Sequence, residues 1–193
     1  MELMEAIYHR RAVRTFTAAA VDRPRINTLV DAASHAPSAM NLQPWLFAVV
    51  EGAARLADYS TRAKRHLLAT MPPNSPMTKY RAMLEDTSFN IFYGAPCLIV
   101  ICARPPVQQS MEDCCLAGQN LMLAAHGQGL GTCWIGFSRP WLELADTRAE
   151  LRLPPDCLPV APIIVGVPTA LPAAPEHHNA TVIWCETAVT RSQ

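Results

Sequence analysis

The sequence predicts an α+β fold in a single domain spanning residues 1–193, and three observations carry that prediction. Four apolar, β-branched runs have the length of strands, several segments repeat apolar residues at helical spacing, and the two kinds alternate irregularly rather than in a regular βαβ rhythm. Half of the residues are apolar, enough for one well-buried core in a chain of this length.

Leu3 and Ile7 give the first segment an apolar helical face that ends near a cluster of arginines. Pro24 marks the start of a second helix, in which Ile26, Leu29, Val30 and Ala33 recur at steps of three and four until Pro37 stops the pattern. WLFAVVE, from Trp45, is expected to be a buried strand closed by Gly52. Residues 53–71 read as a helix with a basic face, and MPPNSP then opens a lid-like excursion over about residues 72–93. CLIVICA, at residues 97–103, has the continuous apolar character of a central strand covered on both faces. Residues 112–128 should form a long helix with acids in its first turn and apolar residues almost all round, which is easier to bury if a second subunit covers one side. TCWIGF reads as a short strand ending at Phe137, residues 141–151 as one further helix, and VAPIIVGVP as the last strand. The Pro- and Ala-rich tail, with VIW inside it, is too thin to fold alone and must lie on something.

Sixteen basic and sixteen acidic residues cancel, so no global field draws the chain to nucleic acid or anionic lipid, and an anion site must be local. Seven cysteines, mostly inside apolar runs, suit small core residues in a reducing compartment better than a disulfide framework. None of them is spaced C-x-x-C, so no metal site is expected. The start lacks the apolar stretch of a secretory leader and the longest apolar run is too short to span a bilayer, so the expected location is the cytoplasm.

Two segments concentrate chemistry. HRRAVRTF, residues 9–16, places Arg10, Arg11 and Arg14 where the first helix should end, a spacing that suits holding a phosphate but on its own favours an exposed basic turn. APSAMNLQPW, residues 36–45, presents Ser38, Asn41 and Gln43 on a loop stiffened by prolines, suited to reading the edge of a flat heterocycle or simply to making a turn. Trp134, Ile135 and Gly136 follow a Gly-rich turn and form either an apolar wall approachable by backbone N–H groups or plain core. His126 reads as a packed residue, and the pair His177 and His178 as a solvated bend. Dinucleotide, P-loop, zincin and serine-hydrolase signatures are absent.

In order, HRRAVRTF, APSAMNLQPW, FNIFYGAP, GQNLMLAAHGQGLGTCWIGF and PIIVGVP resemble the FMN-dependent nitroreductase family over essentially the whole chain. The resemblance implies a central, mainly antiparallel sheet flanked by helices, a homodimer with FMN sites built from both subunits, and a C-terminal tail extending onto the partner. It places Arg10, Arg11, Ala12 (through its backbone) and Arg14 on the FMN phosphate and ribityl chain. Ser38 and Asn41 would meet the flavin from the other subunit, and Trp134, Ile135 and Gly136 would run along its ring. It further implies ping-pong hydride transfer from NADH or NADPH to nitroaromatic, quinone or similar small-molecule acceptors. The alternatives are a flavin-dependent dehydrogenase, oxidase or dehalogenase, or a flavin-binding protein with little turnover. No catalytic side chain is assigned, because the flavin carries the chemistry. The chain departs from the family at Ala12, usually a serine, and near the C-terminus, where EHHNATVIW replaces the usual cation and His177 or His178 is the available substitute.

Overall fold

The computed structural model describes residues 2–185. Its sheet has four strands, β1 (Trp45–Glu51), β2 (Cys97–Ala103), β3 (Gly131–Trp134) and β4 (Leu158–Gly166), in the order β1-β2-β4-β3 with every neighbouring pair antiparallel. The helices are α1 (Leu3–His9), α2 (Arg23–Ser34), α3 (Ala53–Thr70), α4 (Arg81–Glu85), α5 (Gln108–Gly127), α6 (Arg139–Leu142) and α7 (Ala145–Glu150). The α+β expectation and the mainly antiparallel sheet therefore hold.

The period of two along β2 builds a core on each face of the sheet. Leu98, Val100 and Cys102 point to one side, where they join Leu56, Tyr59 and Ala63 of α3 and Trp141 and Leu142 of α6. Cys97, Ile99, Ile101 and Ala103 point to the other, where they meet Leu29 and Ala33 of α2 and Cys114, Ala117 and Leu121 of α5. A strand covered on both faces has no use for polar alternation, which is why CLIVICA reads as an unbroken apolar run.

Expectations for four elements need correction. WLFAVVE is a half-buried edge strand in which only Val50 is buried, because β1 has a neighbour on one side alone. The long helix starts at Gln108, so Glu112 and Asp113 lie beyond its first turn. Its buried residues fall on one face, and the opposite stripe, including Glu112, Cys115, Leu116 and Gln119, is open. β3 stops at Trp134, short of Phe137, where the chain turns into a 3-10 segment, Gly136–Ser138. Residues 141–151 form two short helices instead of one; buried Leu142 and Thr147 are five apart, off the helical period, and Leu144 between them is extended.

The 72–93 excursion contains a 3-10 turn (Pro76–Tyr80) and α4, and it is anchored by Leu84, Ile91 and Phe92, which are buried. A buried lysine holds its base: Lys64 Nζ donates to the carbonyls of Asp86 at 2.7 Å and Phe89 at 2.6 Å. Lys64→Met keeps the stem and strands both carbonyls, so a loss of about 2–3 kcal/mol of stability is expected in chemical denaturation. A loss under about 0.5 kcal/mol would show that water replaces the ammonium without penalty.

Candidate functional site

The arginine segment is stitched to the end of the sheet. Past α1 the chain runs beside β3, where Ala12 pairs in parallel with Thr132 and the Val13 N–H donates to the Thr132 carbonyl at 2.9 Å. It then crosses to the end of β4, with the Thr17 N–H on Val167 O at 2.9 Å and the Thr169 N–H on Thr15 O at 3.1 Å. This approach is close enough to require glycine. A Cβ on Gly131 would lie 2.8 Å from three side-chain atoms of Val13, and one on Gly166 would lie 2.7 Å from Phe16 and from Pro96.

A cavity of about 720 Å³ opens where this segment leaves α1, lined by Ile7, Tyr8, Arg10, Arg11, Ala12 and Arg14 and, from the tail, Pro172, Ala173, Pro175 and His177. No acid lines it. Arg11 is committed to the helix end, its Nη1 donating to Tyr8 O at 2.6 Å and Arg10 O at 2.9 Å. The guanidiniums of Arg10 and Arg14 have no hydrogen-bond or ion-pair partner among the described residues, and Arg14 lies over the Tyr93 ring at 5.8 Å. Three guanidiniums with no carboxylate among them repel one another, and an anion removes that repulsion. Buried His126 of α5 registers the same field. Burial first, and then His9, Arg10 and Arg11, hold its imidazole below the usual histidine range.

Arg14 also lines a second cavity, of about 390 Å³. Trp134, Ile135, Gly136 and Phe137 form its floor, and Met77, Tyr80, Ile91 and Tyr93 of the excursion form its wall. Gly118 lets α5 close on the floor, since a Cβ there would stand 3.2 Å from the Trp134 ring. The wall is braced by edge-on ring contacts between Tyr80 and Phe137 at 5.5 Å and between Phe89 and Tyr93 at 5.8 Å. Tyr93 takes a left-handed backbone, φ 55°, just before Gly94 at φ 68°. An anion pole thus adjoins a flat, aromatic, apolar slot.

Ser38 and Asn41 line neither cavity. Ser38 Oγ accepts from the Gln43 N–H at 3.0 Å, and Asn41 Oδ1 accepts from Gln43 Nε2 at 2.9 Å. Met40, Asn41 and Gln43 all have positive φ (50°, 56° and 47°), a costly run for residues with a Cβ. The loop is fastened by Asp113, buried on α5, whose two carboxylate oxygens accept from the Ala39 N–H at 3.3 Å each. On this rigid support Met40 is 92% exposed and Leu42 66%.

The structure therefore gathers Arg10, Arg11, Ala12 and Arg14 in one cavity and Trp134, Ile135 and Gly136 in the next, and leaves Ser38 and Asn41 outside both. Sequence reasoning missed Met77, Ile91 and Phe137 as lining, and Asp113 as the loop's anchor. Asp113 had a signal: a carboxylate among apolar residues of a buried helix needs a donor from elsewhere.

Two cavities that share Arg14 beside an antiparallel sheet give this α+β protein a candidate cofactor site. Residues 7–167 match the nitroreductase family. Among curated proteins, one from Methanothermobacter thermautotrophicus with the provisional name NADH dehydrogenase/NAD(P)H nitroreductase is 30% identical, covering 89% of this chain and 80% of its own length. A nitrobenzene nitroreductase from Ectopseudomonas oleovorans is 28% identical, over 84% of this chain and 85% of its own. The crystal structure of a nitroreductase with bound FMN from Bacteroides fragilis superposes with a TM-score of 0.82 at 25% identity, over 96% of this chain and 100% of that one. This chain belongs to the nitroreductase family of oxidoreductases.

Proposed function

We propose that the protein is an FMN-dependent NAD(P)H oxidoreductase that works by ping-pong hydride transfer on nitroaromatic, quinone or similar flat electrophiles. The observation that carries this reading is the sharing of Arg14 between the acid-free cavity and the aromatic slot. The residues fit the group: Arg10, Arg11 and Arg14 would hold a phosphate, with the backbone of Ala12 beside them, and Trp134, Ile135 and Gly136 would line the ring. When bound, FMN supplies hydride acceptance from a reduced nicotinamide and hydride delivery to the acceptor that takes its place.

The chain's own part is to bind, orient and exclude water. Tyr80, Tyr93 and Phe137 offer flat faces to an aromatic acceptor, and the excursion that bears the two tyrosines is the proposed selector of acceptors. Arg14 sets positive charge against the slot, where it would stabilise an anionic reduced cofactor. Cys133 lines the slot, and burial pushes its thiol up despite the opposing charges of Arg14 and Arg10.

The proposal includes a homodimer. Leu3, Met4, Ile7 and Tyr8 of α1 are exposed, as are Met40, Leu42, Leu116 and, in the tail, Val182, Ile183 and Trp184. So much uncovered apolar surface on one chain calls for a partner. In that arrangement the rigid 38–43 loop reaches the partner's site, which accounts for its lying outside both cavities here, and the tail beyond His177 lies on the other subunit. The whole chain acts as one domain in the cytoplasm, consistent with seven free cysteines and with the absence, among the described residues, of any helix long and apolar enough to cross a membrane.

Absorbance of the purified protein, followed by anaerobic addition of NADH and then NADPH, tests the reading. A flavin spectrum that bleaches with either donor is expected, from a sample that light scattering sizes as a dimer. A colourless protein that ignores added FMN would refute it, and bound FMN that neither donor reduces would leave a binding protein in its place.

A further inference from the structure

Residues 170–185 carry no regular secondary structure and are exposed, yet Pro172, Ala173, Pro175 and His177 return to line the basic cavity. The tail thereby brings an imidazole to a wall that otherwise consists of three arginines, Tyr8 and apolar groups, while the neighbouring His178 does not line it. We propose that His177 is a phosphate-binding residue of this cavity, donating to the phosphate of FMN as an imidazolium and tightening the hold on that phosphate as pH falls; the inference rests on the FMN reading above.

The groups that decide the sign are few. Arg10, Arg11 and Arg14 face the cavity with Tyr8, Glu176 and His178 flank His177 in the tail, and His126 of α5 lies close enough to Arg10 and Arg11 to feel their charge. Guanidiniums repel a proton on a nearby imidazole, whereas a phosphate attracts one, so binding the phosphate and protonating the imidazole favour each other. Proton uptake on binding means that affinity rises as pH falls through the range in which histidine changes charge. The phosphate's own second ionisation, near pH 6, acts in the opposite sense because the dianion binds arginines better. That contribution is common to all variants and cancels when they are compared at one pH.

The experiment is a fluorescence titration of the full-length protein, stripped of flavin, with FMN and in parallel with riboflavin, at pH 6 and pH 8. His177→Gln is expected to weaken FMN binding about fivefold at pH 6 and less than about twofold at pH 8, the scale of an exposed ionic contact. Riboflavin, which lacks the phosphate, should bind the variant as it binds the unaltered protein. His177→Arg should hold FMN tightly at both pH values, and His178→Gln should change nothing. A His177→Gln effect that is equal at the two pH values, or equal for FMN and riboflavin, would overturn the proposal and leave the FMN reading standing. An unaltered protein that binds neither flavin would bring down both.

Discussion

Arg14→Ala is expected to weaken FMN binding about a hundredfold while leaving the fold intact. Two features separate this arginine from its neighbours. It lines both cavities, and among the described residues its only recorded partner is the face of Tyr93, 5.8 Å away. Charge-assisted hydrogen bonds to a phosphate are worth roughly 1.5–3 kcal/mol each, which converts to about ten- to a hundredfold in affinity. Loss of the contact with Tyr93 should cost the folded state no more than about 1 kcal/mol. Arg11→Ala should divide its effect differently, because Arg11 caps the carbonyls of Tyr8 and Arg10. A drop of about 1 kcal/mol in stability and a smaller loss of FMN are expected there. Arg14→Lys should recover only part of the affinity, since an ammonium keeps the charge and gives up the fork geometry. Flavin fluorescence titration beside thermal unfolding reads both quantities, and an Arg14→Ala protein that binds FMN as before would remove Arg14 from the site.

The legibility of this fold in its sequence follows from what each element is packed against. β2 is covered on both faces, so its pattern is continuous and apolar, and its position at the centre of the sheet was readable. β1 shows the same pattern for a different reason: it is an edge strand with more apolar surface than its own chain covers, and nothing within WLFAVVE separates the two cases. The break between α6 and α7 was hidden because Leu144, where the chain turns extended, is a good helix former, and only the packing of Trp141, Leu142 and Thr147 decides against one helix. The arginine cluster was visible as composition. Its function as a cavity wall was not, because the wall is completed by tail residues more than 150 positions further along the chain. Ser38 and Asn41 were visible as a motif, but the left-handed run beginning at Met40 was not, since no glycine marks it and asparagine at 41 signals only its own position.

The second large effect concerns a residue that touches no ligand. Gly131→Ala should cost about 2–3 kcal/mol of stability and lower FMN affinity at least about tenfold, because the new Cβ would meet the Cβ and both Cγ atoms of Val13 at 2.8 Å. A clash with a flexible side-chain tip relaxes by rotation. Here the Cβ of Val13 is itself among the obstructing atoms, so relief requires the backbone between Ala12 and Arg14 to move away from β3. That movement breaks the hydrogen bond from the Val13 N–H to Thr132 and shifts Arg14 on one side and Arg11 on the other. Adding Val13→Ala removes two of the three contacts, so the double variant should recover part of the lost affinity, with a coupling energy that separate effects would not give. Gly127→Ala is the control: a Cβ there meets nothing within 4 Å, and stability should be unchanged or slightly raised. Denaturant unfolding and FMN titration on the unaltered protein, the two single variants at Gly131 and Val13, the double variant and the Gly127→Ala control decide the matter. If Gly131→Ala loses stability and keeps its flavin, the arginines are held in place by α1 alone, and the bridge to β3 is a matter of folding only.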